Sequence, residues 1–207
     1  AKGFVRTAEL PPAAQYGAMM RVLAPEILTP ASRSGMDVLQ PFTDTLAACD
    51  ASALLDRVMY VDLKTSLPEQ LLLLTDKMSM ACSLEVRVPY LDYRVVEFAA
   101  RIPVEYKLRG LELRHIQRRA FQNRLPDAVL NRRKRGFGAP VGAWLRGGLR
   151  EMIEDLLSST RLKQQGLFDA NTVRALVDGH MDKRLDGTDG LLALLTFQLW
   201  QQEFLPG

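Results

Sequence analysis

The chain reads as all-α. Three observations carry that reading: apolar residues recur at helical spacing through most of its 207 residues, proline or aspartate opens most of those runs, and no stretch alternates as a strand would. Pro11 and Pro12 start a first helix with Tyr16, Met19, Met20 and Leu23 on its apolar face. Pro25 and Pro30 interrupt, and Ser32 to Gly35 gives a loop. Asp37 is placed to cap a helix that reaches Cys49, broken or kinked near Pro41. Asp50 or Ser52 then opens a segment through Leu54, Leu55, Val58 and Met59 to about Thr65. Pro68 opens the next helix, Glu69 to about Cys82, with Leu71, Leu74, Met78 and Cys82 on its apolar side.

Asp92 caps a helix over Tyr93–Arg101 with Val95, Val96, Phe98 and Ala99 turned inward, and Ile102-Pro103 ends it. Gly110 precedes a helix from about Glu112 to Asn123, which Leu125-Pro126 stops. Asp127 caps a short turn over 128–131, and a loop with Gly136 and Gly138 follows. Pro140 begins a turn through Trp144; after Gly147-Gly148 a helix runs to Leu157. Asp169 or Asn171 caps Thr172–Arg184, and Asp189-Gly190 leads into Leu191–Phe204. That last segment is apolar on almost every side at its start, which marks a central core helix. Strand-like pieces are confined to Val86–Val88, and there is no repeat, phosphate-binding glycine loop or nucleophile elbow.

Composition bounds the function. With 47% apolar and 25% charged residues the chain has the make-up of a soluble globular protein. Its longest apolar runs, 71–74 and 191–195, are far too short to span a membrane, and no charged-then-apolar leader opens it. Cys49 and Cys82 lack metal-like spacing and suit structural thiols in a reducing cytoplasm; His115 and His180 share no ligand motif, so no metal site is expected. Between Arg109 and Arg135 nine Arg or Lys face two acids, Glu112 and Asp127, an excess larger than the net charge of +3. Only Phe121 and Phe137 interleave that run, which argues against nucleic acid and for a small phosphate-bearing ligand.

Two places hold candidate chemistry. The stretch 75–92 (TDKMSMACSLEVRVPYLD) sets Asp76, Lys77, Glu85, Arg87 and Asp92 among residues that periodicity assigns to a core. Glu85 and Arg87 lie where the chain must leave the helix before Pro89, and they form either a buried ion pair or part of a site. Asp92 as a cap and Glu69 as a first-turn acid need no function. The second place, 132–140 (RRKRGFGAP), puts four cations before a glycine pair; the glycines let backbone approach an anion, and a lysine there would stabilise charge on a phosphate or oxyanion. A solvated loop is the plain alternative.

The stretches 60–69 (YVDLKTSLPE), 76–81 (DKMSMA), 83–92 (SLEVRVPYLD), 125–126 and 133–144 (RKRGFGAPVGAW) together resemble the synthetase domain of glutamine-hydrolysing asparagine synthetases, and GLFD at 166–169 and the final Leu-rich helix with Trp200 fit as well. The resemblance covers about residues 50 to 205. It implies that the chain is the helical C-terminal portion of an α/β adenine-nucleotide-binding domain whose parallel sheet lies upstream, with 1–50 a lead-in and 51–207 the helical part. The implied activity is ATP-dependent amide formation: a carboxylate, aspartate in the type reaction, is adenylated with release of pyrophosphate, and ammonia from glutamine attacks the acyl-adenylate. ATP with Mg is then held mainly by upstream residues, and the partners are an upstream glutaminase domain and that sheet. None of their motifs occurs here, so the chain is expected to be a C-terminal piece, inactive alone. By matched position, Lys134 reaches the phosphate and developing oxyanion, Gly136 shapes its loop, Glu85 and Arg87 flank the substrate pocket, Asp76 is the acid of its helix, and Glu69 is a distant counterpart of a proton-handling glutamate. Arg114 stands where many relatives have lysine. Helices made to cover a sheet should expose an apolar patch, which favours a homodimer or aggregation. A non-catalytic helical module with a basic anion-binding loop is the competing reading.

Overall fold

A computed structural model describes residues 9–30, 37–132 and 138–205. The described chain folds as two units, one comprising 9–17 and 38–132, the other 18–30, 37 and 138–205.

In the first unit, the part of helix α1 (Pro12–Met20) up to Gly17 contributes Tyr16, which is buried with Leu46 of α2 (Gln40–Ala47) and Val61 of α3 (Leu54–Lys64). The Tyr16 ring meets Phe42 edge-on, and its hydroxyl donates to Asp62 at 2.6 Å with Ser66 Oγ at 2.8 Å. Pro41 sits in the first turn of α2, where its missing N–H costs no helical bond, so the expected kink does not form, and Leu39 rather than Asp37 holds the N-cap position. A π-helical turn, Leu67–Leu72, leads directly into α4 (Leu73–Met80).

Helix α4 ends earlier than periodicity suggests. Ser83 adopts φ 56°, the Leu84 N–H reaches back to the Ser79 carbonyl (3.0 Å) and the Ser83 N–H to that of Met80 (2.9 Å). This paired closure ends a helix at a left-handed residue, here serine rather than glycine, and 84–88 leave it without regular structure. A short 3-10 turn (Pro89–Leu91) and α5 (Tyr93–Arg101) follow, the latter capped by Asp92, whose carboxylate accepts the Arg94 N–H at 2.9 Å. After α6 (Val104–Lys107) comes an antiparallel hairpin, β1 (Leu108–Arg109) against β2 (Glu112–Leu113). The expected helix start at Glu112 is therefore displaced: Gly110 (φ 60°) makes a two-residue hairpin turn, and α7 begins only at His115 and ends at Phe121. The unit closes with α8 (Asp127–Leu130).

The second unit is built on α13 (Thr188–Phe204), which buries Leu191, Leu194 and Leu195 against α9 (Val141–Arg146), α10 (Arg150–Leu156), α11 (Ser159–Gln165) and α12 (Ala170–Met181). The central position expected for this helix is its actual one. Helix α11 gives no periodic signal, having one buried apolar residue, Leu162; it is held instead by Gln165, which exchanges two 2.8 Å hydrogen bonds with the fully buried Gln198. Asp169 caps α12, accepting the Thr172 N–H at 2.8 Å. That helix stops at Met181 by the same device that ends α4: Lys183 at φ 58°, with Arg184 N–H to Gly179 O and Lys183 N–H to His180 O.

Candidate functional site

The two motifs of the charged stretch meet in the first unit. A groove of about 410 Å³ is walled on one side by Pro68, Leu72, Leu73 and Asp76, and on the other by Val86 and Val88. The groove is mainly apolar, with the Asp76 carboxylate and the Thr75 hydroxyl as its polar groups. Thr75 is committed, donating to the Leu71 carbonyl at 2.7 Å, so Asp76 is the groove's one side chain with charge to offer.

Glu85 and Arg87 alternate in sequence with the two valines but are not part of the groove's lining. They pair with each other at 2.6 Å, but their side chains are 65% and 86% exposed. The expected buried ion pair is thus a solvated one, because the Schellman-type closure at Ser83 turns the chain outward before Pro89. An exposed pair of this kind holds little stability, about 0–1 kcal/mol. Glu69 lies on the π-helical turn beside Pro68, exposed, outside the groove lining. Lys134 and Gly136 lie outside the described residues.

The apolar faces that the sequence assigns to a core are open. Leu71, Leu74 and Met78 are 60%, 59% and 61% exposed, and Cys82, Val95 and Phe98 are exposed as well. Trp144 is half exposed, and Met19, expected on the apolar face of the first helix, is exposed too. The expected apolar patch is present on the π-helical turn, α4 and α5. Among the described residues, no three His, Cys, Asp or Glu side chains converge where they could hold a metal ion, and no helix is long and apolar enough to cross a membrane.

Sequence reasoning missed the hairpin and the polar cluster beyond it. There His115 is buried with Nδ1 2.7 Å from Glu112 Oε2, and Arg118 reaches the other oxygen of Glu112 at 3.3 Å. The His115 hydrogen bond, aided by the nearby arginines, holds the Glu112 carboxyl below the usual range. The Arg-Gly-Leu-Glu sequence at 109–112, between Leu108 and Leu113, was the available signal for the turn that builds it.

The model of the asparagine synthase family matches residues 3–202. The chain belongs to the asparagine synthase family. It is 31% identical over 159 residues to glutamine-hydrolysing asparagine synthetase 1 of Bacillus subtilis, covering 77% of this chain and 24% of that protein. A provisionally named glutamine-hydrolysing asparagine synthetase of Mycobacterium bovis is 35% identical over 170 residues, 82% of this chain and 25% of its own length. An amidase, chry2, of Gibberella zeae is 26% identical over 132 residues, 60% of this chain and 20% of its own. The chain thus spans about a quarter of the length of these curated relatives. No solved structure matches it.

Proposed function

We propose that this chain is the helical part of an ATP-dependent amide-forming ligase, which adenylates a carboxylate, aspartate in the type reaction, and passes glutamine-derived ammonia to it. The observation that carries this reading is the family match across 3–202, together with relatives named as glutamine-hydrolysing asparagine synthetases. In it, Lys134 stabilises charge on the phosphate and the developing oxyanion, with Gly136 giving its loop room. Asp76 contributes to the substrate or nucleotide pocket from within its groove, Glu85 and Arg87 flank that pocket from outside the groove, and Glu69 handles a proton. ATP arrives with Mg, held mainly by the nucleotide-binding sheet of the same protein; the glutaminase domain supplies ammonia. The open apolar surface of α4 and α5 supports the covering role, since a helix face of this composition is ordinarily buried against a neighbouring layer.

The exposure of Arg87 makes the test clean. Arg87→Ala should leave thermal stability nearly unchanged, because a solvated ion pair contributes so little. In the complete gene product it should abolish aspartate-dependent exchange of pyrophosphate into ATP while glutamine hydrolysis continues, and Lys134→Ala should do the same. Normal exchange in both variants would remove the assigned roles.

A further inference from the structure

One wall of the Asp76 groove is made by an uncommon piece of backbone. Residues Leu67–Leu72 form a π-helical turn, in which the Leu73 N–H passes over its usual partner and reaches the Pro68 carbonyl. Such turns are rare, and they gather at functional sites. This one carries Pro68 and Leu72 of the groove wall, bears Glu69, and runs directly into Leu73 of the same wall.

A side chain distant in sequence holds the entrance to that turn. Tyr16 is buried, and it brings its hydroxyl from α1 to the junction between α3 and the turn. Two partners meet it there: Asp62 Oδ1 of α3 at 2.6 Å, and at 2.8 Å the Oγ of Ser66, the residue just before the turn. A phenol has one proton, and the carboxylate takes it, so the Ser66 hydroxyl donates its own to the Tyr16 oxygen. Ser66 makes no capping bond to the N–H groups of its own turn; its hydroxyl serves Tyr16 instead. Apolar packing does not require this arrangement. Leu46, Val61 and Phe42 hold the ring, and phenylalanine would fill the same space. The hydroxyl adds a directional tether to a ring already held by packing.

We propose that Tyr16 is a positioning residue: through Ser66 its hydroxyl sets the π-helical turn, and with it the wall of the Asp76 groove formed by Pro68 and Leu72. The inference rests on the reading of that groove as a substrate or nucleotide pocket. Tyr16 is given no contact with substrate and acts only through the turn.

The test follows aspartate-dependent exchange of pyrophosphate into ATP by the complete gene product, with each substrate varied in turn. Tyr16→Phe and Ser66→Ala should each raise KM for aspartate or for ATP about fivefold, the factor that one hydrogen bond represents, with kcat for exchange and glutamine hydrolysis near the parent's. Whichever KM rises names the ligand that the groove serves. Ser66→Thr keeps the hydroxyl and should restore the parent KM. Leu46→Ala thins the same small core without touching the hydroxyls; it should lower the melting temperature more than Tyr16→Phe does and leave both KM values alone. A second readout needs no activity. In amide hydrogen exchange of the chain itself, Tyr16→Phe should reduce protection of the Leu73 N–H about fivefold, while amides of α13 keep theirs. Unchanged KM values in Tyr16→Phe and Ser66→Ala, beside a Lys134→Ala protein that has lost exchange, overturn the proposal and leave the parent reading standing. So does a KM rise that Leu46→Ala reproduces, or Leu73 protection equal to the parent's. Normal exchange in both Lys134→Ala and Arg87→Ala removes the parent reading instead, and the assignment of Tyr16 to that reaction goes with it.

Discussion

Gly142→Ala probes how α9 sits on the start of α13. A methyl at 142 would come 2.6 Å from Thr188 Oγ1, 3.5 Å from His180 Cε1 and 3.7 Å from Arg146 Nη1. Ordinary contact begins near 3.4 Å, so the threonine oxygen must retreat by about 0.8 Å. It is tethered where it is, donating to Asp186 Oδ1 at 2.6 Å, and the same carboxylate oxygen accepts the Thr188 N–H at 3.1 Å. Behind it His180 is fully buried, with Nδ1 accepting the Gly187 N–H at 3.2 Å, so the imidazole has no room to yield. Overpacking of this kind costs about 1–3 kcal/mol, a fall of roughly 2–12 °C in melting temperature for a chain of this size. Gly148→Ala is the internal control. A methyl there meets nothing within 4 Å, and the backbone is not left-handed, so the change should stabilise by about 0.4–1 kcal/mol through the unfolded chain. Thermal unfolding followed by far-ultraviolet circular dichroism reads both. A Gly142→Ala protein as stable as Gly148→Ala would refute the packing argument.

Three further outcomes follow from the geometry. Leu194→Ala, at a fully buried position of α13, should lower unfolding free energy by about 2–5 kcal/mol in a urea titration, and a loss under half a kcal/mol would mean the second unit is not centred there. Burial and the hydrogen bond to Asp62 push the Tyr16 phenol above its ordinary 10. The folded state then holds that proton more tightly than the unfolded chain, so its contribution is full below pH 10 and declines as pH rises through the raised value. Tyr16→Phe should flatten the alkaline limb of the stability curve; an unaltered slope contradicts the assignment. Arg114→Gly relieves a left-handed backbone and should gain up to about 1 kcal/mol after glycine's added chain entropy, read as a raised denaturant midpoint at constant slope.

Helix type and two of the expected caps were legible in the chain because they are local, whereas the helices expected to open on Asp50 or Ser52 and on Asp127 have Ala53 and Pro126 at the cap position. Asp92 and Asp169 each sit one residue before an apolar-periodic run, and each accepts a main-chain N–H within two or three residues. The core helix α13 announced itself by composition. What stayed hidden had no local signature. Helix α11 is held by Gln165 meeting Gln198 across 33 positions of sequence, which periodicity cannot register. Ser83 and Lys183 end their helices in a conformation that glycine usually marks, so the usual signal was absent.

By itself the sequence determined the helical class, the caps at Asp92 and Asp169 and the membership that its motifs announce, since spacing and side-chain chemistry suffice for each. Only the tertiary structure decided which apolar stripes are covered. The stripe through Leu191, Leu194 and Leu195 is buried, while the one through Leu71, Leu74 and Met78 faces outward, although periodicity assigned both to a core. Burial depends on what packs against a face, and periodicity records only that the face is apolar. The same holds for charge: adjacency paired Glu85 with Arg87, but the outward bend at Ser83 left that pair in water, and the fold alone gathered Arg114, Arg118 and Arg132 around one hollow.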